Sequence, residues 1–295
     1  MSDDANPAAN RNYDLVTTVT PDGVKLHGLF QESLVERKTA LDAAIVLHGL
    51  GGNFYSSSLN LRLADSLRDT GLAVVVVNMR GHDGISMNPV AGRAQTIGAA
   101  YEIVDDCRHD VAGWIEWLLN RDCSNIVLVG HSLGAIKSLY AHAHLQHEAV
   151  KAIVGLSATR LCHGRLMESE RRDDFRKWFS LACEMTEQGR GDELMRVDFP
   201  FPTHMAAAAY RDKYGPADRY DWVRYVEQIH VPTLLMYGER ELRDSPAFYG
   251  LLETAEEVSR RMHNFTIQVI ESANHFYAGV HSRATAAMQE WMRSL

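Results

Sequence analysis

The run Ile126-Val127-Leu128-Val129-Gly130-His131-Ser132-Leu133-Gly134 decides how the rest of the chain is read. Its first four residues are apolar and mostly branched, as in a strand buried on both faces. From Leu133 to Leu145 the pattern becomes helical. Gly130 and Gly134 stand two residues to either side of Ser132. A sharp strand-to-helix turn crowds its own backbone; glycines at these two places relieve the crowding and leave the serine hydroxyl at the tip. The helix N-terminus behind the serine favours negative charge. The five-residue pattern alone is weak evidence, and its position between a strand and a helix gives it weight.

Working outward, further short apolar runs occur at Ala43–Leu47, Leu72–Val77, Val150–Leu156, Thr233–Tyr237 and Phe265–Ile270. Helical patterns lie between them. Leu59, Leu63 and Leu67 recur one turn apart before Gly71, and Ile103, Val104, Cys107, Val111, Trp114, Ile115 and Leu118 form a stripe within Glu102–Asn120. Val258–Met262 and Ala284–Leu295 read as the last two helices. Tyr13–Thr20 and Val24–Phe30 flank the turn Pro21-Asp22-Gly23, a hairpin signal. Strands alternating with helices after an opening hairpin predict an α/β protein with a mostly parallel sheet covered by helices.

One stretch breaks this rhythm. Between Leu156 and Val231-Pro232 there is no buried-strand pattern. Arg165–Lys177 mixes charges of both signs, as a solvated helix face does, and Trp178, Phe179, Met185, Phe199, Phe201, Met205 and Tyr210 follow. The expected organisation is a frayed tail over 1–12, a core over 13–157 and 231–295, and a helical cap over 158–230, because a structureless loop of that length is unusual.

Two more pieces lie at strand ends. His48-Gly49-Leu50-Gly51-Gly52-Asn53 follows the first parallel strand. A turn of small residues lets backbone N–H groups face a developing oxyanion, and the expected pair is the N–H of Leu50 and that of Leu133, with Gly51 as the substitute for Leu50. His275 follows the last strand, on the same sheet edge as Ser132, and is the expected general base. His131 is expected to pack sideways. His142, His144 and His147, on or just after the helix that follows Ser132, are expected to be exposed. No pair of histidines offers a convincing zinc-ligand geometry.

Composition narrows the class. The chain has 295 residues, 46% of them apolar, and a formal charge of −8. No basic stripe of the kind that binds nucleic acid is visible. No apolar run approaches the roughly 20 residues of a membrane span. The first ten residues, MSDDANPAAN, lack the features of a secretory signal. Cys107, Cys123, Cys162 and Cys183 have no metal-like spacing and are expected to be reduced. These readings favour a cytoplasmic protein acting on a small molecule, with neither a metal nor an organic cofactor required; a homodimer is allowed.

Together the hairpin, the HGLGGN turn, the GHSLG elbow, the insertion and the late histidine resemble the α/β-hydrolase superfamily, in its esterase- and lipase-like serine hydrolases. The resemblance implies an α/β-hydrolase fold, a mostly parallel eight-stranded sheet flanked by helices with a helical cap insertion. It also implies the chain order serine, acid, histidine, with the acid after the strand before the last. Here Gly238-Glu239-Arg240-Glu241-Leu242-Arg243-Asp244 follows that strand. The family's usual aspartate, three residues after the glycine, is replaced by Glu241. Glu241 is the first candidate for the acid, and Asp244 and Glu239 stay open. Arg80 and His82, in a turn similar to the family's R-G-H, are expected to brace their loop. GGNFYSS, residues 51–57, is similar to an esterase-like branch that includes fungal siderophore esterases.

The implied activity is hydrolysis of a carboxylic ester, lactone or thioester through an acyl-enzyme, with Ser132 as nucleophile. C–C bond hydrolysis and acyl transfer with the same triad are alternatives, and a non-catalytic ligand receptor is a third. Tyr55, Trp178, Phe201 and His204 are the expected substrate-binding residues.

Overall fold

Asp14–Val19 (β1) and Lys25–Gln31 (β2) pair antiparallel around the Pro21-Asp22-Gly23 turn, where Gly23 takes a φ of +90°. The computed structural model describes residues 13–33 and 35–295, and the tail expected over 1–12 lies outside them. Next in the chain come Ala43–Leu47 (β3), Ser58–Arg68 (α1), Ala73–Val77 (β4), Ser86–Val90 (β5), Arg93–Ile97 (β6) and Cys107–Leu119 (α2). Ile126–His131 (β7), Leu133–Leu145 (α3) and Val150–Leu156 (β8) follow. The insertion carries His163–Glu168 (α4), Arg172–Glu187 (α5), Leu194–Val197 (β9), Thr203–Ala206 (β10) and Ala207–Tyr214 (α6). Thr233–Gly238 (β11), Glu239–Asp244 (α7), Leu251–Arg261 (α8), Phe265–Ile270 (β12) and His281–Arg293 (α9) complete the order.

Eight strands form one sheet in the order β1-β2-β4-β3-β7-β8-β11-β12. From β4 to β12 every neighbouring pair is parallel, and β2 runs against both its neighbours. The continuous apolar runs follow from cover on both faces. In β3, Ala43, Ile45 and Leu47 join one core with α2, α3 and α8, while Ala44 and Val46 join another with α1 and α9. Each fully buried Val, Leu or Ile contributes ~1.5–3 kcal/mol, so these strands need little help from side-chain pairing. Local signals fix the helix ends. Ser57 caps α1 by accepting the N–H of Asn60 at 3.2 Å.

Arg80 braces its loop as expected. Its guanidinium donates to Asp110 in α2 at 2.9 Å and to Asp22 in the first hairpin at 2.8 Å. The four cysteines are unpaired; Cys107 and Cys162 are buried, while Cys123 and Cys183 are partly exposed.

The structure corrects the reading in three places. The insertion, expected to be helical, also holds the antiparallel ribbon β9–β10. Met195, Val197 and Met205 point from this ribbon into a small core with Phe175, Phe199 and Tyr210. Strands of four residues present too few alternations to be read as strands. The ribbon β5–β6 also escaped the sequence pattern, because its burial is slight and it carries no apolar run. Lastly, His142 is buried, since α3 is covered on nearly all sides and not only on its sheet face. Burial pushes its pKa down to about 4.

Candidate active site

The elbow shows why its sequence is built as it is. Ser132 sits at φ +56°, ψ −120°, a conformation that a non-glycine residue adopts only under constraint. A Cβ on Gly130 would lie 2.3 Å from the carbonyl oxygen of Gly134, and one on Gly134 would lie 2.5 Å from those of Leu47 and His48. Neither position has room for a side chain. Ser132 N–H donates to Leu156 O at 2.8 Å, which ties the elbow to the end of β8.

The turn after β3 lies against the elbow. A Cβ on Gly49 would come 3.2 Å from Ser132 Cβ. Gly52 N–H donates to Gly49 O at 3.1 Å and closes the turn. His48 is buried and accepts Met79 N–H on Nε2 at 3.0 Å, so its proton is on Nδ1, which donates to Gly49 O at 2.7 Å. Burial drives its pKa down to about 4 and keeps it neutral. Asn53 extends the bracing: Oδ1 accepts Tyr55 and Ser56 N–H, and Nδ2 donates to Asp83 at 2.7 Å. The N–H groups of Leu50 and Leu133 have no acceptor among the described residues.

The three candidate acids separate sharply. Glu241 is buried, and its Oε2 accepts the Nδ1–H of His275 at 2.8 Å. Its Oε1 accepts Gly238 N–H at 2.7 Å and the Ser157 hydroxyl at 2.6 Å. Asp244 is exposed and pairs with Arg243 beside it, at 2.7 Å. Glu239 is also exposed and accepts Ser272 N–H at 2.8 Å. The glutamate reaches His275 because it is the third residue of α7, where its carboxylate also folds back on the helix start as a capping box does.

His275 is one-third exposed, and with Nδ1 as donor its Nε2 is left as the acceptor. The rings of His131, Phe276 and Phe248 surround it at centroid distances of 4.8, 5.1 and 5.7 Å. No hydrogen bond joins Ser132 and His275 directly among the described residues; the link runs through His131, whose Nε2–H donates to His275 O at 2.7 Å. Burial, with His275 beside it, drives the His131 pKa down to about 3. His131 thus packs sideways, as expected, and in doing so holds the loop that carries His275.

The expected substrate contacts are more scattered. Tyr55 is 56% exposed and donates its hydroxyl to Asp83. Trp178 packs on the insertion core with Lys177 over its ring, Phe201 is exposed between β9 and β10, and His204 is exposed on β10. No hydrogen bond or ring contact joins these four to Ser132 or His275 among the described residues. A surface cavity of 470 Å³ beside α7 is lined by Glu239, Leu242, Arg243, Phe248 and Tyr249, and by neither Ser132 nor His275. No group of His, Cys, Asp and Glu among the described residues is arranged to hold a metal ion.

The sequence reading passed over Ser157, Tyr277, Phe248 and Phe276. Ser157 had a signal: it is the residue immediately after β8, on the sheet edge that carries Ser132.

The model of the alpha/beta hydrolase family matches residues 44–288, which span the elbow, the insertion, Glu241 and His275. The chain belongs to this family. No curated protein matches the sequence at a significant level. Among solved structures it is similar to Est1E from Butyrivibrio proteoclasticus with ferulic acid bound, at 17% identity and a TM-score of 0.65, covering 94% of this chain and 98% of that one. The esterase Pf2001 of Pyrococcus furiosus is similar at 16% identity and a TM-score of 0.63, covering 97% and 92%. The alpha/beta hydrolase GrgF from Penicillium sp. sh18 has 12% identity, a TM-score of 0.67 and coverage of 96% and 98%. At these identities the likeness is one of fold. No helix among the described residues is long and apolar enough to cross a membrane.

Proposed function

We propose that the chain is a serine hydrolase that cleaves a carboxylic ester, lactone or thioester of a small molecule through an acyl-enzyme. The observation that carries this reading is the 2.8 Å bond from His275 to buried Glu241, at the same sheet edge as a serine held at φ +56°. Ser132 attacks the carbonyl carbon as His275 Nε2 takes its proton. Glu241 fixes the imidazole tautomer and stabilises the imidazolium. The N–H groups of Leu50 and Leu133 receive the oxyanion; neither is taken by another acceptor among the described residues, so both are free to bind charge as it develops. His275 then returns the proton to the leaving group. Water, activated by the same base, releases the acid and restores the serine.

Residues 158–230 act as a cap in this reading. Chemistry belongs to the strand ends, and Tyr55, Trp178, Phe201 and His204 select the substrate. The experiment is labelling by a fluorophosphonate followed by peptide mapping, together with a panel of p-nitrophenyl esters of graded length, lactones and thioesters. The ferulic acid in Est1E adds feruloyl esters to that panel. Label on Ser132, and its loss with all turnover in Ser132→Ala, is expected; turnover retained by Ser132→Ala would overturn the reading.

A further inference from the structure

The proposed acid is a glutamate, whose terminal torsion is broad and roughly two-fold. A single bond to one carboxylate oxygen leaves the other free to swing about it. Gly238 N–H, from the same short segment as Glu241, provides that one bond. The second anchor comes from a different strand: the Ser157 hydroxyl, at the end of β8, donates to the same Oε1 at 2.6 Å. Two donors converging from different elements fix the plane of the carboxylate, and Oε2 then faces His275.

Ser157 is itself held hard. It is fully buried and adopts φ +54°, a conformation that strains a residue with a Cβ. Its N–H donates to Met236 O at 2.8 Å. Tyr277 Oη lies 3.1 Å from Ser157 Oγ and donates to Met236 O at 3.0 Å. Ser157 has one hydroxyl proton, and the nearer, charged carboxylate takes it. Tyr277 is likewise a non-glycine residue at positive φ, +55°. Strain at two residues flanking one carboxylate persists only where the surroundings enforce it.

We propose that Ser157 is a positioning residue of this site, its hydroxyl locking the carboxylate of Glu241 in the orientation that serves His275. The inference rests on the triad reading above. It is tested by the rate of fluorophosphonate labelling of Ser132 against pH, in the wild type, Ser157→Ala, Ser157→Gly and Glu241→Gln, with thermal melting to confirm folding. Both Ser157 variants should label on the order of tenfold more slowly on the pH plateau. Their acid limb should also move to higher pH, because a carboxylate stripped of a donor holds the imidazolium more tightly. The titratable groups facing His275 are Glu241 from α7 and His131 from the elbow, and His131 stays neutral over this range; Phe248 and Phe276 carry no charge.

Glycine relieves the backbone strain while removing the hydroxyl. Wild-type labelling by Ser157→Gly beside slow labelling by Ser157→Ala would therefore assign the effect to the backbone and overturn the proposal. An unchanged plateau and acid limb in both variants would do the same. Should the alanine variant not fold, the glycine variant decides alone. Slow labelling of Glu241→Gln with unaffected Ser157 variants would sink only this inference. A wild-type rate for Glu241→Gln, or no label on wild-type Ser132, would remove the triad reading and the positioning role with it.

Discussion

Two glutamates are almost completely hidden in this molecule, and their surroundings differ in kind. Glu241 has three hydrogen-bond donors, of which only His275 can carry charge. Glu102 lies between two buried lysines. Lys137 of α3 bonds to its Oε1, and Lys213 of α6 stands 3.8 Å from its Oε2. That Oε2 and the Lys213 ammonium have no hydrogen-bond partner among the described residues. Glu241 is held by saturated geometry. Glu102 is held by charge, and it joins the insertion to α3, the helix that follows Ser132. The first arrangement fixes the direction of one oxygen; the second ties two parts of the chain together without fixing direction. Around it, Asp212 of α6 accepts the Tyr220 hydroxyl and Val104 N–H, which thickens the same seam. By contrast α5 buries Phe175, Ala182 and Met185 and leaves its charges on the solvent face, in exposed pairs such as Arg176–Asp173.

The largest effect expected from this contrast is on activity. Glu241→Gln keeps an oxygen and a similar size but loses the charge, and its amide can present an N–H to His275. In serine proteases, replacing the triad aspartate by its amide lowers turnover by about 10⁴, and a loss of that order is expected here in kcat with little change in Tm. Steady-state kinetics on any ester that the panel identifies would decide it. A fall of less than about tenfold would show that the saturated geometry serves the fold and not the proton.

Glu102→Gln is expected to do the reverse. It leaves Lys137 and Lys213 buried together without an anion, and breaking such a pair costs ~3–5 kcal/mol. Chemical denaturation should show that loss. Glu102 also fills the space beside Gly81, where a Cβ would lie 2.0 Å from its Oε1, so Gly81→Ala should be poorly tolerated in the same assay. A Glu102→Gln variant as stable as the wild type would mean that the tether is ornamental.

Much of the Glu241 region was legible in the sequence, and little of the Glu102 region was. The sheet announced itself through continuous apolar runs, because burial on both faces leaves no polar alternation, as in β3 and β7. Ser132 and His275 were marked by position after strands, and Glu241 by its distance from Gly238. That spacing, as the family resemblance implies it, ranked Glu241 first but left Asp244 and Glu239 open, since the outcome depends on which carboxylate turns inward from α7. Lys137, Glu102 and Lys213 look like ordinary surface charges in sequence. Their meeting depends on how α6 docks across the core, and no local pattern encodes that contact. The ribbons β5–β6 and β9–β10 were hidden for a related reason: short strands with few buried residues carry almost no periodicity.

Lys213 supplies a smaller effect with a definite sign. Burial outweighs the attraction of Glu102 and lowers its pKa from 10.5 to about 8. The unfolded chain therefore holds a proton between about pH 8 and 10.5 that the folded chain has released. Below that window both states are protonated, and the cost of burying the charge is present in full. Stability should consequently rise with pH across the window, by at most ~3 kcal/mol from this group. Lys213→Met removes the charge and leaves Glu102 with Lys137. At pH 7 it should be more stable than the wild type by ~1–3 kcal/mol, and that advantage should shrink as pH approaches 10.5. Denaturant titrations of both proteins at pH 7, 9 and 10.5 isolate the lysine, because their other groups are shared. A constant difference across these pH values would mean that Lys213 stays charged in the fold.

The smallest effect belongs to the carboxylate outside both arrangements. Asp244 was a rival for the acid in sequence, yet it is exposed and its partner is the neighbouring Arg243. The Arg243 hydrogen bond is the main influence on its pKa and lowers it, with desolvation opposing. Water screens a pair of adjacent surface residues, and removing it leaves no buried group without a partner. Asp244→Asn should therefore leave the melting temperature unchanged and alter kcat by less than about twofold. The measurement gains force beside Glu241→Gln on one substrate, since both changes remove one negative charge from α7. If the two variants lost activity equally, the net charge of that helix would matter and the hydrogen bond to His275 would not. A large loss at Glu241 alone would assign the effect to the inward-turned carboxylate, because direction and burial are what separate these two residues.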